Sequence, residues 1–149
     1  MVLFEPVLVR GEAYRRRLWL HPAVADWVYT QGYGREARYF DDVRAFLKSF
    51  VTGEDFDDDV KLKELKTARG GWYEFRIIFN PQTRIFGAFI GQGDFVAVLQ
   101  QDRRTLDRSS FAPSIFRAEQ IWQGLFPTDR PAKESRDFLL GEFFDDNHA

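Results

Sequence analysis

The sequence of 149 residues has no cysteine and only two histidines, His21 and His148. The first absence removes disulfide scaffolds, thiolate metal sites and cysteine nucleophiles together, and it fits a reducing compartment. The second excludes a His-rich metal centre. No apolar run approaches the roughly 20 residues that a membrane-spanning helix needs. The opening stretch MVLFEPVLVRGEAYRRR carries charge where a secretory signal would be apolar. The expected location is therefore the cytoplasm, with no membrane partner. Repeats, low-complexity tracts and Pro/Ser-rich linkers are also missing. This favours a single domain over residues 1–127, followed by an acidic C-terminal tail, 128–149, whose Phe138-Leu139-Leu140 and Phe143-Phe144 can dock on the body.

What the chain does have is rings: 16 Phe, 5 Tyr and 4 Trp, enough apolar bulk to make disorder the wrong reading. Its formal net charge of −2 hides an uneven distribution. Residues 61–108 hold nine basic groups against five acidic ones, a local balance of +4. Residues 36–59 (three basic, eight acidic) and 129–149 (three basic, six acidic) are correspondingly negative. Such a chain does not bind nucleic acid indiscriminately, but it leaves room for a local cationic site. The plain alternative is that these charges solvate an ordinary surface.

Tyr14–Leu20 reads as a strand whose basic residues line one face, ended by His21-Pro22 because proline has no N–H for a ladder. Ala23–Tyr29 suits a short helix. From Arg35 to Val51, the spacing of Phe40, Val43, Leu47, Phe50 and Val51 predicts an amphipathic helix closed by Gly53. The run EDFDDD at 54–59 is expected to be a solvated loop. It lacks the glycine turn and terminal Glu of an EF-hand, so no metal and no cofactor are assigned. Trp72–Phe79, Thr83–Ile90 and Asp94–Gln100, joined by Asn80-Pro81-Gln82 and Gly91-Gln92-Gly93, predict an antiparallel meander. Pro113 opens a last helix that reaches Gly124. The fold class is α+β, a small antiparallel sheet flanked by two N-terminal helices and one C-terminal helix.

The order and spacing of Lys63–Lys66, Trp72–Arg76, Arg84, and Val96–Leu99 running into Arg103-Arg104 resemble the RelE/HigB-like toxins, in particular their phage-derived host-killing branch. The resemblance runs from Tyr14 to Leu125. It implies a RelE-like sheet that presents basic side chains to messenger RNA, commonly on the ribosome, and cleaves it without metal by attack of the ribose 2′-hydroxyl on the adjacent phosphate. It further implies a protein antitoxin that covers the basic surface. Carried over by position, Arg76 and Arg84 hold the scissile phosphate and Arg104 stabilises the transition state, roles that suit a guanidinium because it stays charged and offers forked donors. The competing reading of Arg76 is an ion pair with Glu74 or Glu64.

Lys61, Lys63, Lys66, Arg69 and Arg103 are expected to contact RNA phosphates, and Trp72 or Tyr73 to stack a base. Relatives place a Tyr or His for proton transfer after the last strand or at the last helix. Here that neighbourhood holds Gln100, Gln101 and Phe111, leaving Tyr73 as the nearest titratable substitute. That departure and the acidic composition motivate two further readings: a non-catalytic protein of the same fold that modulates a host protein, and a toxin shielded by its own tail, 129–149.

Overall fold

Ile85–Phe89 and Phe95–Leu99 are apolar almost without interruption, a pattern that belongs to strands covered on both faces. The structure, a computed structural model that describes residues 1–108 and 111–143, places them at the centre of a mixed six-stranded sheet. Its strands are β1 (Val2–Leu3), β2 (Arg17–Leu20), β3 (Leu62–Glu64), β4 (Trp72–Ile77), β5 (Thr83–Gly91) and β6 (Asp94–Asp102), in the spatial order β1-β2-β6-β5-β4-β3. The helices are α1 (Pro22–Val28), α2 (Arg35–Val51), α3 (Arg103–Arg108), α4 (Ala112–Leu125) and α5 (Arg136–Leu139). The α+β class and the antiparallel meander β4-β5-β6 are as expected.

The sheet is larger than the expected small meander. β2 lies parallel to β6, Arg17 to Leu20 against Asp94 to Ala97, and β1 extends that edge. A four-residue strand carries no information about its partner, which only the packing of α1 and α2 between β2 and the meander decides. Segment 61–69 is not a strand throughout: Leu62–Glu64 pairs antiparallel to β4, flanked by backbone hydrogen bonds of Lys61 and Leu65 to Arg76 and Trp72. The basic stretch after β6 forms α3 rather than a turn.

The amphipathic helix forms over Arg35–Val51, and its predicted apolar positions are the buried ones. With α1, whose N-terminus is capped by His21 Nδ1 accepting from the Ala23 N–H at 3.2 Å, it covers one face of the sheet. There Leu18, Leu20, Phe50, Phe75, Ile77, Ile85 and Phe89 form the main core. Phe56 joins them through edge-on contacts with Phe46, Phe50 and Phe75, so the acidic loop is anchored by its one ring. On the opposite face α3 and α4 bury Trp72, Phe86, Ala88, Val96, Val98 and Trp122 in a second core. A bulge at Phe86/Gly87 lets β5 and β6 approach so closely that a Cβ on Gly87 would overlap the Val96 carbonyl and the Phe95 ring.

The described part of the tail is packed on the body. The Ala132 N–H donates to the Phe89 carbonyl at 2.8 Å, the Gly93 N–H donates to the Leu139 carbonyl at 2.8 Å, and Leu139 and Leu140 are buried. The rest of the tail, 144–149, including Phe144 and His148, lies outside the described residues. Among the described residues no helix is long and apolar enough to cross a membrane.

The three arginines of the N-terminal strand region do not share a face. Arg15 is exposed, and Arg17 pairs with Asp94 at 2.7 Å. Arg16 is buried, donating to the carbonyls of Leu140 (2.9 Å), Phe50 (3.0 Å) and Glu54 (2.9 Å). It thus ties the end of α2, the acidic loop and the tail together. Replacing Arg16 with Met leaves three carbonyls without their donor. We expect about 3 kcal/mol lost in urea denaturation, since bonds from charged donors are worth about 1.5–3 kcal/mol each and do not add fully. Unchanged stability contradicts this role.

Candidate functional site

Residues directly opposite one another on antiparallel strands share a face. On β4 and β5 Arg76 stands opposite Arg84, and Arg84 stands opposite Gln101 of β6. Glu74, two residues before Arg76, is on that same face, and Lys63 of β3 stands opposite Glu74. This is the face of the second core, the one that α4 packs against. Two of the three arginines that the resemblance groups, Arg76 and Arg84, are thus brought together on neighbouring strands, with a carboxylate beside both.

Glu74 Oε1 lies 3.8 Å from Arg76 Nε and 3.8 Å from Arg84 Nε, ion-pair contacts too long to be hydrogen bonds. Glu74 Oε2 and Arg76 Nε are buried and have no hydrogen-bond partner among the described residues. The guanidinium of Arg84 donates to the Thr83 carbonyl at 3.0 Å, and that of Arg76 donates to the Asp59 carbonyl at 2.9 Å. The Arg84 side chain is 2% exposed and the Glu74 side chain 4%, whereas Arg76, at 30%, is the part of the cluster that meets water.

Two opposed effects act on the Glu74 carboxyl. Burial penalises its charged form, while the charges of Arg84, Arg76, Lys63 and Arg103 favour it, in that order. Burial prevails, and the carboxyl is held above the ordinary range. A carboxyl with raised proton affinity can act as a proton acceptor, and the guanidinium groups that flank it stay charged.

The remaining predicted residues are dispersed. Tyr73 is on the opposite face, buried against Phe89, with its hydroxyl pushed up to about 12 chiefly by burial. It cannot work with the arginines, because the two-residue repeat of a strand sends it to the other side of the sheet. Trp72 is on the arginine face but sealed edge-on against Trp122, at 5.8 Å between centroids. With Arg69, Arg130 and Lys133 it lines a separate cavity of about 360 Å³. Lys66 is exposed, Lys61 Nζ donates to the Asp55 carbonyl at 3.3 Å, and Gln100 donates to Thr83 Oγ1 at 2.7 Å. Arg104 is exposed and lines an open cleft at the end of the sheet. Arg103 lines that cleft too and is also one of the cations acting on Glu74.

The described tail residues hold the other end of the strands, at Phe89 and Gly93, and Arg136 pairs with Asp57 (3.0 Å) and Asp59 (2.7 Å). Among the described residues no group of three or more His, Asp or Glu side chains is placed to hold a metal ion.

The residue that sequence reasoning undervalued is Glu74, weighed there only as an ion-pair partner. The signal was present: it lies two positions before Arg76, so a strand puts both on one face, and the apolar runs of the neighbouring strands imply that this face is covered. Comparison with known proteins gives no match: no family model, no curated protein and no solved structure is similar to this chain.

The folded protein binds the Glu74 proton more tightly than the unfolded chain does. The resulting contribution to stability is complete below the ordinary value of 4.5 and is lost as the pH rises through the raised folded value. Relative to Glu74→Gln, which has nothing to titrate there, the wild type is expected to lose stability as the pH rises from 4.5 towards neutrality, measured by denaturant unfolding at several pH values. The reverse slope means that the arginines, not burial, control the carboxyl.

Proposed function

We propose that the chain is a RelE-like endoribonuclease that cleaves messenger RNA without a metal ion, on the ribosome, and is neutralised by a protein antitoxin covering its basic surface. The observation that supports this reading best is the Glu74 carboxyl set between Arg76 and Arg84 on adjacent strands. In the proposed step Glu74 takes the proton of a ribose 2′-hydroxyl as that oxygen forms a bond to the neighbouring phosphorus. The bond from phosphorus to the 5′-oxygen breaks, leaving a 2′,3′-cyclic phosphate, and the departing oxygen takes a proton from solvent. Arg76 and Arg84 carry the added charge on the phosphoryl oxygens. Arg76 is the partly exposed partner: besides its ion pair with Glu74 its guanidinium donates to the Asp59 carbonyl, and an RNA phosphate replaces that carbonyl with a stronger acceptor. Glu74 thereby fills the role for which Tyr73 was the substitute, and Arg104 moves from the transition state to the approach of the RNA.

A second reading, a non-catalytic protein of this fold that binds a host protein, is favoured by the burial of Arg84 and Glu74 Oε2. Primer extension after induced expression separates the two. The ribonuclease reading expects new ends within translated transcripts, reduced about a hundredfold by Glu74→Gln and by Arg76→Ala, the scale on which positioned proton acceptors and charge-stabilising donors act. Intact transcripts, with a stoichiometric protein partner retained from lysate after nuclease treatment, establish the second reading instead.

A further inference from the structure

An open cleft lies at the end of the sheet where the β4–β5 turn meets the start of α2 and the junction of β6 with α3, and has a volume of about 1080 Å³. That is at the upper end of what small-molecule sites occupy and more than one nucleotide needs. Its aromatic wall is Trp27 and Tyr39, set edge-on with ring centroids 6.4 Å apart. The Tyr39 hydroxyl donates to the Pro81 carbonyl at 2.7 Å, which fixes the wall to the strand turn. Trp27 is half-buried in this wall, and its indole N–H makes no hydrogen bond among the described residues.

Three guanidinium groups line the same cleft, those of Arg35, Arg103 and Arg104, against the carboxylates of Glu36 and Asp102. Asp102 already accepts from Gln100 at 3.0 Å. Arg35 and Arg104 are exposed and make no ion pair or hydrogen bond through their side chains among the described residues. Three forked cations against two carboxylates, beside an aromatic wall, match a nucleotide: phosphate on the cations, base on the rings.

We infer that this cleft is a binding subsite for single-stranded RNA, in which Arg35 and Arg104 hold backbone phosphates and the Trp27–Tyr39 wall receives a base of a nucleotide next to the one that is cut. The inference takes its substrate class from the ribonuclease reading. Arg103 links the two sites, because it lines the cleft and its charge also reaches Glu74. The cleft differs from the arginine cluster in being open, so it engages RNA before any rearrangement of Arg76. Segment 61–69 has no part in it, although its basic residues were the sequence-based choice for phosphate contacts.

The test uses the full chain and a fluorescently labelled 2′-O-methyl hexanucleotide, which lacks the nucleophile and cannot be cut. Anisotropy near physiological salt is expected to show binding that the joint Arg35→Ala and Arg104→Ala substitution weakens about tenfold or more. Arg10→Ala, an exposed arginine outside the cleft, leaves that binding unchanged. In nuclear magnetic resonance spectra the Trp27 indole N–H signal, assigned with Trp27→Phe, shifts on titration, and an abasic hexamer shifts it less. No binding, binding indifferent to the two arginines, or a Trp27 signal that stays still overturns the inference. Binding with these features but without cleavage of natural RNA retains the subsite and removes the ribonuclease reading. Cleavage indifferent to Arg35 and Arg104 removes the subsite and retains the ribonuclease.

Discussion

Covering both faces of the central strands is the constraint from which the rest follows. α1 and α2 claim one face, α3 and α4 the other, and Phe86, Ala88, Val96 and Val98 leave the second face no reason to meet water. A polar side chain on that face is therefore withdrawn from solvent unless it lies beyond the helices. Glu74 and Arg84 do not escape. A buried carboxylate is tolerated where opposite charge is close by, and a buried guanidinium where acceptors are. The cluster of Glu74, Arg76 and Arg84 satisfies both demands through position alone, since the register of β4 against β5 sets the two arginines face to face.

The same arrangement stops short of full satisfaction. Ion-pair distances of 3.8 Å and, among the described residues, an Oε2 without a donor and an Arg76 Nε without an acceptor are costly in a protein interior. Removing one partner of such a group usually costs more than replacing the whole group by apolar side chains of similar shape. This unspent hydrogen-bonding capacity lies next to the one arginine of the cluster that is partly exposed, Arg76. The open cleft likewise brings arginines together with carboxylates and aromatic rings.

Much of the fold was legible in the sequence because it rests on local patterns. The spacing of Phe40, Val43, Leu47 and Phe50 gave the long helix its limits, and two short turn tripeptides gave the meander. The partner of β2 was not legible, since RLWL is compatible with any edge, and its parallel docking on β6 is decided by long-range packing. Phe56 hid inside an acidic run whose charge dominated the reading, although a single ring is enough to pin a loop. The meeting of Arg76 with Arg84 was readable once both were placed on neighbouring strands. Arg104 was placed with them by analogy of position, and α3 turns it instead towards the cleft. Tyr73 fell to the simplest rule of all, the alternation of a strand.

The state of one carboxyl carries the account. Carbon-13 observation of the Glu74 side-chain carboxyl during a pH titration of the folded protein reads it directly. The expected result is a midpoint above that of an ordinary glutamate, and a further rise when Arg76 is replaced by Ala, because a cation that favours the charged form has been taken away. A midpoint at or below the ordinary value, or one indifferent to Arg76, means that Glu74 is a settled ion-pair partner and has no proton-accepting role to play.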